Sequence, residues 1–129
     1  MSVMRAAAAN NVERVVITSS VASIMLTKDS NRTHFTDDDW TDMSIADPYS
    51  LSKTKAEKAA WDFVGDLQSK GQKMDIVTIN PGLIMGTPLV TAQFTSADFI
   101  KGVLTNEIGA LPKVCTGVVD VEDVAKAHL

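Results

Sequence analysis

The sequence predicts an α/β chain built on a parallel sheet, and three observations carry that prediction. A short β-branched run, RVVIT at residues 14–18, comes first; a long helical pattern follows over residues 49–70, and then a second β-branched run, DIVTIN, at residues 75–80. Near-continuous apolar runs of this kind are how buried strands of parallel sheets read. Two such strands joined by a crossover helix form a βαβ unit, with parallel strands and a right-handed crossover.

Each element has its own justification. Residues 1–11 (MSVMRAAAANN) are rich in Ala and end on two Asn suited to a helix C-terminus. Residues 19–47 keep no period and are dominated by Ser, Thr, Asp and Asn; so long an irregular stretch in a small chain is more often functional than passive. The helix over residues 49–70 has Pro48 at its start, Ala56, Ala59, Ala60, Phe63 and Leu67 at helical spacing, and Lys70-Gly71 at its end. Pro81-Gly82 stops the second strand. A helix is expected over residues 96–104 with Ser96 as N-cap, then a short strand at 114–119 and a helix opening at Asp120.

Composition narrows the class. The chain has 129 residues, 45% hydrophobic and 22% charged, which allows one domain at most with a real core and argues against disorder. A net charge of -4 with no Lys/Arg cluster argues against nucleic acid or an anionic membrane as partner. Cys115 is the lone cysteine, so no internal disulfide can form, and it reads as a small core residue. Apolar runs of four or five residues are too short to cross a membrane, and residues 1–11 hold no signal-peptide pattern. A cytoplasmic protein is the expectation.

The βαβ order has a geometric consequence. The first strand ends at Thr18, the crossover helix begins near that edge, and the second strand returns to it at Asn80. Thr18 to Ser20, Tyr49 and Pro81 to Ile84 are therefore expected together at the carboxyl edge, where open α/β sheets bind ligands. Tyr49 and Lys53 stand four apart and share a helix face. A phenol is a poor proton relay at neutral pH, and a cation about 4 Å away contributes about 4 kcal/mol towards its anion at an effective dielectric near 20. The plain alternative is a surface Tyr beside a solvated Lys. Ser20 or its neighbour Ser19 could hydrogen-bond a substrate carbonyl, or the pair could simply end the strand. The NPGLIMG segment at residues 80–86 could bring backbone amides close to a flat ligand, or be a tight turn. Three adjacent carboxylates, Asp37, Asp38 and Asp39, point different ways and read as a solvated loop, so no metal site is expected. The six scattered Met read as packing.

Taken together, VERVVITSSVAS, YSLSKTKAEKAAW, INPGLIMG and VVDVEDVAKAHL, in that order over essentially the whole chain, resemble the extended short-chain dehydrogenase/reductase (NAD-dependent epimerase/dehydratase) superfamily, in its dihydroflavonol-4-reductase-like branch. The resemblance implies a Rossmann-like doubly wound parallel sheet that binds NAD(P)(H) and transfers a hydride between nicotinamide and a carbonyl or alcohol carbon. Mapped onto this sequence, Tyr49 would be the general acid/base, Lys53 would bind the nicotinamide ribose and assist Tyr49, and Ser20 would hold the substrate oxygen. Tyr49, Lys53, Pro81, Gly82, Leu83, Ile84 and Ser96 would contact the cofactor, which branch analogy makes NADP(H) rather than NAD. The helices at residues 1–11 and 49–70 would form a homodimer face, with Ala56, Ala59 and Ala60 allowing close approach. Epimerases of the superfamily usually carry a Tyr-Gly after the serine strand and an Arg-Pro before the later loop, where this chain reads Ser20-Val21-Ala22-Ser23-Ile24-Met25 and Asn80-Pro81, which favours a carbonyl reductase. A sugar-nucleotide epimerase, a hydroxysteroid dehydrogenase and a non-catalytic fragment remain the competing readings.

One departure stands out. No G-x-x-G-x-x-G phosphate loop occurs anywhere in the chain. Residues 1–129 are thus expected to be a partial NAD(P)-binding domain, the catalytic half of the fold, from a protein at least about twice as long. Alone, such a piece is expected to be poorly stable, with an exposed sheet edge, and without turnover, since nothing holds the pyrophosphate.

Overall fold

A computed structural model describes residues 1–90, 95–109 and 116–129, which divide into two compact units, Met1–Asn80 and Pro81–Leu129. The first unit opens with helix α1 (Ser2–Ala9). Its closing Asn pair does what the sequence suggested. Asn10 returns its side-chain amide to the Ala6 carbonyl at 2.8 Å, and Asn11 takes up φ 54°, which lets Val12 N–H reach the Ala7 carbonyl at 3.0 Å.

Strand β1 (Arg14–Thr18) pairs in parallel with β2 (Asp75–Ile79), from Arg14 opposite Asp75 to Thr18 opposite Ile79. The crossover helix α2 (Pro48–Ser69) starts where its capping chemistry dictates. The Asp47 carboxylate accepts from Tyr49 N–H at 2.9 Å and Ser50 N–H at 3.3 Å, and Pro48 occupies the first helical position, where no N–H is needed. The helix ends in a Schellman turn. Gly71, at φ 80°, donates to the Gln68 carbonyl and Gln72 donates to that of Leu67, both at 3.0 Å.

The core of this unit gathers Met4 and Ala8 from α1, Ala60 and Val64 from α2, and Met74 and Ile76 from the second strand and its approach; Val15, Ile17, Phe63 and Leu67 pack around them. Only two of the six Met are therefore core residues. Met1, Met25 and Met43 are exposed, a correction to reading all six as packing. The small-residue stripe on α2 is also divided: Ala60 is buried in the core, Ala59 is half-buried and Ala56 is exposed. Ala60 packs within its own unit and is not available to a dimer face.

In the second unit, β3 (Leu83–Met85) pairs in parallel with β4 (Val118–Asp120), Leu83 opposite Val118. The sequence placed a loop at residues 81–86, but three of those residues are strand. Gly82 is needed for this pairing: a Cβ there would lie 2.3 Å from the Gly117 carbonyl oxygen. The strand expected at residues 114–119 is found at Val118–Asp120; Val114 and Cys115 lie outside the described residues. Helix α3 spans Thr95–Leu104 and α4 spans Val121–Ala127, the latter capped by Asp120, whose carboxylate accepts from Glu122 N–H at 2.7 Å. Because the chain is already helical at Thr95, Ser96 sits inside the first turn of α3 and is not its N-cap.

Candidate active site

The site is built where β1 ends. Past Thr18 the chain enters a single 3₁₀ turn, Val21–Ser23, for which Ser20 is the N-cap; its Oγ accepts from Ala22 N–H at 3.2 Å. Ser19, Ser20 and Ser23 are all buried. Hydroxyls taken out of water need partners, and Ser19 and Ser23 share one that Ser20 does not. Ser19 donates to the Glu57 carboxylate in a short contact. Ser23 Oγ lies 2.7 Å from Glu57 Oε2 and 2.7 Å from the Ser20 carbonyl oxygen. The Ser20 hydroxyl accepts a backbone hydrogen and keeps its own proton without an acceptor among the described residues. Ser19 is thus committed to a protein carboxylate, whereas the Ser20 proton remains available to an incoming oxygen.

Helix α2 brings the other groups. Tyr49 stands in its first turn with 56% of its surface exposed, and its hydroxyl makes no hydrogen bond among the described residues. One turn on, the Lys53 ammonium donates to the Thr18 carbonyl at 3.3 Å and lies 5.9 Å from the centroid of the Tyr49 ring. The helix thereby sets an ammonium at the carboxyl end of the first strand, on the carbonyl two residues before Ser20, with the phenol one helical turn before it. No hydrogen bond joins Ser20 to Tyr49 or to Lys53 among the described residues.

Pro81, Gly82, Leu83, Ile84 and Ser96 belong to the second unit. There the Leu83 N–H is engaged with the Gly117 carbonyl at 2.8 Å, so this amide serves the sheet. Ser96 is half-buried on α3.

Sequence reasoning missed Glu57. It continues the Tyr49 and Lys53 face at the same spacing of four, and it is 6% exposed. Its Oε2 receives Ser19, Ser23 at 2.7 Å and Asn80 Nδ2 at 2.9 Å. Burial pushes its carboxyl up, but hydrogen bonds from Ser19, Ser23, Asn80 and Thr78 outweigh that and hold it below the usual carboxylate range. The buried stripe of α2 is therefore polar near the strand ends (Ser50, Thr54, Glu57) and apolar further along (Ala60, Val64). The available signal was the run of serines after β1, whose hydroxyls require a partner, set against a helix that offers a carboxylate at the right turn.

The irregular segment after the turn is tied down by Thr41. Its hydroxyl donates to the Ala22 carbonyl at 2.8 Å and accepts from Leu26 N–H at 3.1 Å, and its N–H donates to the Ser23 carbonyl at 2.9 Å. Further out, Asp39 holds Arg32 and the Thr36 N–H, and Lys58 lies 4.3 Å from the centroid of the Trp40 ring. Among the described residues, open depressions lie elsewhere. One, of about 580 Å³, is lined by residues such as Glu13, Met74 and Asp75 at the amino edge of the strands, away from the serine turn.

No protein-family model matches the chain. Among curated proteins it is similar to the cinnamoyl-CoA reductase CAD2 of Medicago truncatula, 40% identical over 92% of this chain and 36% of that protein. Cinnamoyl-CoA reductase 1 of Arabidopsis thaliana is 32% identical over 98% of this chain and 37% of its own length. The NADPH-dependent methylglyoxal reductase GRE2 of Saccharomyces cerevisiae is 31% identical over 95% and 40%. Among solved structures, vestitone reductase from alfalfa (Medicago sativa) superposes with a TM-score of 0.67 at 27% identity, covering 91% of this chain and 38% of that one. The chain thus spans less than half the length of the relatives it matches. Its parallel α/β arrangement matches part of the Rossmann-like fold of vestitone reductase, and its sequence is similar to cinnamoyl-CoA and methylglyoxal reductases, in keeping with the resemblance its motifs carry. Among the described residues no helix is long and apolar enough to cross a membrane.

Proposed function

We propose that this chain supplies the catalytic segment of an NADPH-dependent reductase that acts on small carbonyl compounds. The single observation that carries the reading is the pairing of Tyr49 with Lys53 at the carboxyl end of β1, where the ammonium is fixed by the Thr18 carbonyl at 3.3 Å. The names of the relatives, cinnamoyl-CoA and methylglyoxal reductases, support the reaction class, and the second supports NADPH as the reductant.

In this reading the bound nicotinamide supplies a hydride to the carbonyl carbon. Ser20 donates its uncommitted proton to the carbonyl oxygen and orients it. Tyr49, exposed at the helix start, gives its phenolic proton to that oxygen as negative charge develops there. Lys53, held by the Thr18 carbonyl one turn beyond Tyr49, donates to a ribose hydroxyl. Pro81, Gly82, Leu83, Ile84 and Ser96 are proposed as further cofactor-binding residues. A homodimer is proposed through the exposed remainder of α1 and α2.

The test uses the longer reductase that carries this segment. NADPH oxidation is followed with a panel of aldehydes and ketones, and NADPH binding is measured separately by fluorescence. Tyr49→Phe is expected to lower kcat by roughly 10²–10⁴-fold, the range of general acid–base catalysis, with binding of NADPH retained. Undiminished turnover in Tyr49→Phe refutes the assignment.

A further inference from the structure

Two of the three residues that meet Glu57 also hold the backbone of Ser20: the Asn80 amide has two hydrogens and reaches both, and Ser23, whose one hydroxyl proton goes to the carboxylate, holds the Ser20 carbonyl through its N–H. The Ser20 carbonyl oxygen is 2.7 Å from Ser23 Oγ, 3.2 Å from Asn80 Nδ2 and 2.9 Å from Ser23 N–H. Ser23 Oγ and Asn80 Nδ2 are in turn 2.7 and 2.9 Å from Glu57 Oε2 and 2.9 Å from each other. Ser19, the neighbour of Ser20, is bound to the same carboxylate oxygen. One atom of α2 therefore gathers the residue before Ser20, the residue that closes its turn, and the residue that follows β2. Three donors converging on one oxygen favour the charged acceptor of a carboxylate over a neutral amide oxygen, because hydrogen bonds to an ionised acceptor are the stronger ones. Glu57 is remote from solvent and shares no hydrogen bond with Tyr49 or Lys53, so its reach to the chemistry runs through Ser20.

We propose that Glu57 is a positioning residue, an ionised carboxylate that fixes the serine turn against α2 so that the Ser20 hydroxyl faces the oxygen that Tyr49 protonates. This rests on the reductase reading for its catalytic consequence and on the hydrogen-bond network for its structural one. Tyr49, Lys53 and Glu57 then form one continuous device on a single helix face. The first two turns carry the reacting groups, and the third locks the strand-end turn to which they are addressed.

The experiment compares Glu57→Gln and Ser23→Ala with the unsubstituted reductase by steady-state kinetics and by amide hydrogen exchange. Glu57→Gln is expected to lower kcat roughly 10- to 100-fold, the cost of a small misplacement of a reacting group, with NADPH binding changed by less than about 3-fold. In a Ser20→Ala background the same substitution is expected to cost less than about 3-fold, because coupled residues are not additive. Equal losses in both backgrounds overturn the proposal, since a general structural weakening would act regardless of Ser20. Exchange gives a second, activity-independent reading: amides of Ala22, Ser23 and Thr41 lose protection while those of β1 and β2 keep it. Ser23→Ala retains the carboxylate, removes one donor and repeats the effect at smaller size, which keeps the test open where Glu57→Gln fails to fold. Unchanged protection in the foldable variants refutes the positioning role even where turnover is present. An unsubstituted protein without carbonyl turnover, whose exchange nonetheless responds, refutes the reductase reading and leaves Glu57 as the anchor of the turn.

Discussion

Replacing Met74 by Ala is expected to release the helix that carries Tyr49 and Lys53 from the sheet it is packed on. Met74 is 2% exposed and sits among Met4, Ala8, Ala60, Val64 and Ile76, so α1, α2 and β2 meet on it. The substitution removes the Cγ, Sδ and Cε atoms. At about 0.8 kcal/mol for each methylene-sized group, with a cavity contribution added, the loss is about 3 kcal/mol. For the unit Met1–Asn80 a loss of that size corresponds to a fall in Tm of roughly 12–24 °C. Met25, 42% exposed, serves as the matched control, and Met25→Ala is expected to change stability by no more than about 0.5 kcal/mol. Urea unfolding followed by far-UV circular dichroism measures both, with an unchanged m-value showing that the denatured state is not the cause. If Met74→Ala and Met25→Ala differ by less than about 1 kcal/mol, the packing assigned to this core is wrong.

Acidification should expose the Glu57 network. Its folded-state pKa lies below the unfolded value, so its contribution is present above about pH 4.3 and is lost as pH falls through the lower folded value. Urea midpoints taken from pH 7 downward should therefore fall less steeply for Glu57→Gln than for the parent. Asp39, Asp42 and Asp47 are shifted in the same direction but are common to both chains, and parallel curves would contradict the assignment. Two glycines should respond in opposite ways. Gly82→Ala, with its Cβ 2.3 Å from a backbone oxygen, should abolish exchange protection of the Leu83 amide, while Gly65→Ala, with open space inside α2, should stabilise by about 0.5–1 kcal/mol.

Much of the first unit was legible because its signals are local. Strand β1 and the second strand follow from β-branched runs whose side chains suit a pleated, buried surface, and both were found within a residue of their expected ends. Helix α2 was bounded by its own chemistry, Pro48 at one end and Lys70-Gly71 at the other, while its Asp47 cap was seen only in the structure. The three-residue strand Leu83–Met85 was missed because nothing within residues 81–86 announces it; its partner lies more than thirty residues on, at Val118–Asp120. The dimer reading of Ala60 failed for a related reason, since a small residue on a helix fits equally well against a sheet or another helix.

The order of residues by itself determined the βαβ succession, the parallel pairing and the placement of Tyr49 one helical turn from Lys53, because periodicity, caps and the 3.6-residue repeat act over a few neighbouring positions. Only the tertiary structure decided what Glu57 does. A glutamate on an amphipathic helix ordinarily faces water, and this one is buried because three hydroxyl or amide donors, from segments 34 to 38 residues before it and 23 after it, converge on its carboxylate. The same convergence separated Ser19 from Ser20, giving one hydroxyl to the protein and leaving the proton of the other for an incoming oxygen.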